Sequence, residues 1–122
     1  MEMLFFSRNI SKIASFTGLV NREKSKGASS AEKYLKDCYT ICSKHKMWEM
    51  LLRSTYQLLD MKYLQSLEGQ CSSAQISRII QEARDIVKSC FQVLAEVPFS
   101  SSMKKLKKEI LDLEAQVLLV SI

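Results

Sequence analysis

An all-α fold is the expectation for this chain, and three observations carry it. Only three glycines and one proline occur in 122 residues, too few to make the many tight turns of a β sandwich or barrel. From residue 31 onward, apolar residues recur at steps of three and four, which is the period of a helix face and not the alternation of a strand. The pattern also resembles itself after a shift of 52 residues, as stacked helical units do. A chain of this length builds one domain around one core.

Residues 1–28 form a basic segment of their own. Residues 1–30 carry five basic and two acidic side chains out of a net charge of +5 for the whole chain, so the remainder is nearly balanced. Drawn as a helix, Phe6, Ile10 and Ile13 share one side while Arg8 and Lys12 lie on another. Interfacial helices and mitochondrial presequences have this pattern, and so does a frayed basic tail or a docking helix.

A helical domain is expected over 29–122. Ser29 followed by Glu32 has the capping-box form, and Ala31, Leu35, Cys38, Ile41 and Cys42 continue one face as far as His45 and Lys46. A second helix runs from about Met47 to Glu68, its stripe reaching from Trp48 and Leu52 through Leu58, Leu59, Tyr63 and Leu64 to Leu67, with Gly69 as its stop. After Ser72 and Ser73, a third helix turns Ile76, Ile79, Ile80, Ala83, Val87, Cys90, Phe91 and Leu94 toward the core until Pro98 forbids continuation. Ser100 to Ser102 offer a cap for a fourth helix, whose Met103, Leu106, Ile110, Leu113, Val117 and Val120 form the narrow seam of a coiled-coil-like helix pair. Short connections make these two tandem antiparallel hairpins, 29–69 and 72–120. A closed four-helix bundle is the alternative.

The shift of 52 places Ala31 on Ala83, Leu35 on Val87, Lys36 on Lys88, Cys38 on Cys90 and Tyr39 on Phe91 without a gap. The same register sets Leu59 and Asp60 on Leu111 and Asp112, and Leu67 on Leu119. With a small residue, a large apolar one four later and a small one three later, the chain over residues 31–120 resembles the tetratricopeptide-like (TPR-like) family of helical-hairpin repeats. Its period is longer than the ~34 residues of the strict family and closer to that of the extended repeats in large scaffold subunits. The resemblance implies an α-solenoid fragment that binds proteins.

Chemistry was sought among the polar residues. His45 is the sole histidine and sits between Lys44 and Lys46, with no orienting carboxylate in view. Cys38, Cys42 and His45 fall on one helical face with Cys71 far off, which is not a zinc-site spacing. The four cysteines are expected as free thiols in a reducing compartment. No phosphate-cradling glycine loop occurs, and no apolar run is long enough to span a bilayer. The expectation is a protein that is not an enzyme and binds no metal or cofactor.

What remains is recognition. Trp48, Leu52 and Leu118 are candidate apolar anchors, and Lys104, Lys105, Lys107 and Lys108 are a basic cluster suited to an acidic partner, although a solvated face with a Lys108–Asp112 pair explains them equally. Nucleic acid is disfavoured because aromatic residues do not interleave with the lysines. The expected function is therefore a scaffold or interaction module of the cytoplasm or nucleus, which receives a partner helix between its hairpins or at an apolar end that also permits self-association. The alternative is a small mitochondrial assembly factor or complex subunit whose residues up to about 26 are an import signal.

Overall fold

The computed structural model describes residues 13–68 and 71–120, with side chains from Phe16 onward. Five helices follow one another: α1 (Ile13–Lys26), α2 (Ala28–Lys44), α3 (Trp48–Ser66), α4 (Ser73–Val93) and α5 (Ser101–Leu119). There is no strand among the described residues. The expected amphipathic set of Phe6, Arg8, Ile10 and Lys12 lies outside the described residues, as does Gly69.

The helix ends show how local chemistry sets the boundaries. Gly27 adopts φ +131, a conformation that L side chains rarely take, and so turns the chain from α1 into α2. The capping box expected of Ser29 and Glu32 does not form, because Gly27 occupies the cap position and no side chain caps α2. Glu32 instead reaches a lysine of α3, while Ser30 Oγ donates to Glu23 Oε2 at 2.6 Å and ties α1 to α2.

At the far end of α2, Met47 N donates to Cys42 O at 2.9 Å and Lys46 N to Ser43 O at 3.4 Å. This is a Schellman closure whose left-handed residue is Lys46, at φ 58, where glycine is usual. Ser72 and Gln75 form a reciprocal capping box at the start of α4, and the Ser100 hydroxyl accepts from Met103 N at the start of α5. Helix α4 ends at Val93, ahead of Pro98.

Helix α3 is the centre of the fold. It packs against α2, α4 and α5, whereas α1 packs on α2, and α4 and α5 share a lighter contact. No extensive contact joins α2 to α5, so these helices do not close into a four-membered ring. Being surrounded, α3 buries residues around much of its circumference, including Leu51, Leu52, Thr55, Leu58 and Leu59. Its last two turns depart from the expected stripe: Leu64 and Leu67 are 52% and 55% exposed, while Lys62 and Ser66 are buried. The apolar residues were dense enough on two sides that spacing alone did not fix which side faces inward.

Burial recurs at the 52-residue shift in the outer helices. Ala31, Leu35, Cys38 and Cys42 of α2 are buried, and so are their counterparts Ala83, Val87, Cys90 and Leu94 in and just after α4. Helix α1 adds Phe16 and Val20, four residues apart, to the same core, so the expected basic segment includes a core helix.

Candidate functional site: a groove between α2 and α4

Because α2 and α4 both lean on α3 without packing extensively on each other, a groove of about 690 Å³ opens between them. Its floor includes Lys62 and Gln65 of α3, and its walls carry Glu32 and Lys36 on one side and Arg78, Ile79, Glu82 and Ile86 on the other. A second recess of about 370 Å³ continues past Lys36, Asp85 and Ile86 to Tyr39, Leu58 and Ser89. The groove thus has a charged end and a more apolar end.

Lys62 organises the charged end. Its stem lies in the core, and its Nζ donates to Glu32 Oε1 of α2 at 2.9 Å and to Glu82 Oε2 of α4 at 2.7 Å. One ammonium therefore clasps both walls. Lys36 Nζ lies 3.6 Å from the same Glu32 oxygen, and Arg78 Nε lies 4.0 Å from Glu82 Oε1. A buried lysine is tolerated only when its charge is met this closely, since desolvation of the ammonium would otherwise oppose folding. Burial lowers the Lys62 pKa, but the hydrogen bonds to Glu82 and Glu32 outweigh it and hold the group above its ordinary value. The hydrogen bond from Lys62 holds the Glu32 carboxyl below the usual carboxylate range.

At the other end, burial pushes the Tyr39 hydroxyl up to about 12, helped by the neighbouring Cys90. That hydroxyl is buried and has no hydrogen-bond partner among the described residues. The four cysteines are free thiols. Burial pushes Cys38 up to about 11 and Cys42 up to about 12, so both stay protonated at neutral pH and are poor nucleophiles. Cys42 is enclosed in the core while His45 is exposed at the helix end, and the two do not form a thiol-imidazole pair. Among the described residues no three His, Cys, Asp or Glu side chains converge as a metal-ligand set, and no helix is long and apolar enough to cross a membrane.

None of the partner-binding residues expected from sequence lines this groove. Trp48 is half-buried against the core, and Leu52 is fully enclosed, leaving no surface for a partner in this fold. Leu118 is half-buried near the end of α5. Lys104, Lys105, Lys107 and Lys108 are exposed, and the expected Lys108–Asp112 pair is not among the ion pairs of the described residues. Lys107 Nζ instead sits 5.5 Å from the Phe91 ring centre and 5.6 Å from that of Phe99.

Sequence reading passed over Lys62, although its position carried a signal: it follows Leu58 by four and Leu59 by three on the apolar side of its helix. No protein-family model, no curated protein and no solved structure matches the chain.

Proposed function

We propose that this protein is a non-enzymatic interaction module, built like a TPR-like solenoid fragment, in which the groove between α2 and α4 receives a segment of a partner protein. The observation that carries this reading is the groove itself. Its walls are contributed by α2 and α4, it is open over α3, and a single buried ammonium bridges them. Clefts between helices that join an apolar strip to a few fixed polar groups suit helical or extended peptides. The recurrence of small buried residues in α2 and α4 supports a repeat origin for the two walls.

The buried free thiols suit a reducing compartment, and we place the protein in the cytoplasm or nucleus. Helix α1 favours this over a cleaved import signal. A cut near residue 26 would remove Phe16 and Val20 from the core and uncover the side of α2 on which α1 packs.

Photo-crosslinking tests the reading. A crosslinking side chain at position 40 or 89, inside the apolar recess, is expected to capture a discrete partner in cells. Ile86→Arg, which places charge on the groove wall, is expected to abolish capture while circular dichroism stays native. Capture that survives Ile86→Arg, or is equally efficient from the exposed position 33, would show that the groove is not the docking site.

A further inference from the structure

The basic cluster on α5 forms a second surface that uses none of the groove residues. Lys104, Lys107, Lys108 and Leu111 fall at i, i+3, i+4 and i+7, so they share one side of the helix. All four are exposed, Leu111 by 42%. No carboxylate of the described residues pairs with the lysines, although Glu109 and Asp112 are on the same helix. Among the described residues no close ion pair offsets their mutual repulsion, in the first half of a helix with no acid in its first turn.

A recess borders this face. Of about 240 Å³, it lies between the end of α4 and α5, lined by Phe91, Val97 and Phe99 and roofed by Lys107. Contact with both rings fixes the Lys107 ammonium above that recess. Three exposed cations around an exposed leucine make an amphipathic, predominantly basic surface, with Glu109 and Asp112 exposed beside it.

We infer that this face of α5 docks an acidic amphipathic protein segment, with carboxylates on Lys104, Lys107 and Lys108 and an apolar side chain against Leu111. Charge complementarity selects the partner's sign, and the exposed Leu111 among the lysines selects an amphipathic peptide over a polyphosphate. A nucleic acid backbone needs a longer cationic track, and stacking needs open ring faces, whereas Phe91 and Phe99 are half-buried and Lys107 lies over both.

The test is fluorescence anisotropy of the whole protein with a labelled helical peptide that carries glutamates and phenylalanines on one face. Lys104→Glu/Lys108→Glu is expected to weaken binding by about tenfold or more, since two attractive charge contacts become repulsive. Lys33→Glu/Lys44→Glu makes the same change in net charge on α2 and is expected to shift affinity by less than about twofold if the site is local. Replacing the peptide's phenylalanines by alanine is expected to weaken binding severalfold, and Lys107→Met to weaken it while the fold is kept. Absence of binding would overturn the inference, as would equal losses in the two double variants. Indifference to the phenylalanines, or tighter binding of a single-stranded oligonucleotide at the same salt, would do so too.

Discussion

Replacing Lys62 by methionine isolates the contribution of the clasp, because methionine keeps the apolar stem and removes the ammonium. The variant loses hydrogen bonds of 2.9 and 2.7 Å and leaves Glu32 and Glu82 facing each other without the cation between them. Breaking a fully buried ion pair costs about 3–5 kcal/mol, and an exposed one about 0–1 kcal/mol. Lys62 is buried, but the side chains of Glu32 and Glu82 are 26% and 43% exposed and can rehydrate. Screening by that water places the loss between the two limits, at about 1.5–2.5 kcal/mol.

For a chain of this size the loss corresponds to a fall of about 5–10 °C in Tm, read by circular dichroism at pH 7. Neutralising all three members, as Glu32→Gln/Lys62→Met/Glu82→Gln, is expected to restore stability to within about 1 kcal/mol of the parent, because no buried charge is then left unpaired and the exposed Lys36 and Arg78 lose only surface contacts. The pH dependence has a definite sign. The Glu32 pKa is held below its ordinary 4.5, so its contribution is present above that value and is lost as pH falls. The Lys62 pKa is held above its ordinary 10.5, so its contribution is present below that value and is lost as pH rises through the folded pKa. The gap between parent and Lys62→Met should therefore be level across neutral pH and shrink at both ends. A Lys62→Met variant as stable as the parent at pH 7, or a triple variant no better than the single one, would refute the account of the clasp.

Lys46→Gly should stabilise the protein by about 0.5–1 kcal/mol in urea denaturation, since Lys46 holds φ 58 at a helix end where glycine carries no Cβ penalty. A loss of stability would mean that the left-handed turn is not kept in solution. Phe16→Ala should cost about 3–5 kcal/mol, because Phe16 is only 2% exposed in the shared core, and hydrogen exchange should show α1 amides losing protection first. If α1 were not docked, the same variant would be neutral. Thiol titration at pH 8 should show one rapid reaction, at Cys71, and three slow ones, since Cys38, Cys42 and Cys90 are buried and their thiol pKa values are raised by burial. A second thiol reacting at the rate of the first would contradict the burial of that cluster.

What could be read from the chain and what could not divides along a physical line. In α2 and α4 the period located Ala31, Leu35, Cys38 and Cys42 and their counterparts Ala83, Val87, Cys90 and Leu94 in the core, while Ile41, Ile76, Ile80 and Phe91, expected on the same faces, lie at its margin and are half-buried. Helix α1 was faint because, from Phe16 onward, Phe16 and Val20 alone are buried along it, with Gly18 between them. A short helix of that kind is held by docking more than by its own propensity. The groove could not be read at all, for it is a space between helices far apart in sequence, and its key contact joins Glu32, Lys62 and Glu82 from three of them.

The paired leucines 59 and 111 show the same limit most plainly. They occupy equivalent places in the 52-residue shift, yet Leu59 is fully buried and Leu111 is 42% exposed. Helix α3 has α2, α4 and α5 around it, while α5 rests on α3 and only lightly on α4. Spacing states which side of a helix is apolar, but the presence of a neighbour on that side is a property of the assembled layers. A position that is core in α3 therefore becomes surface in α5, whose own apolar stripe of Met103, Leu106, Ile110, Leu113 and Val117 stays buried against its neighbours.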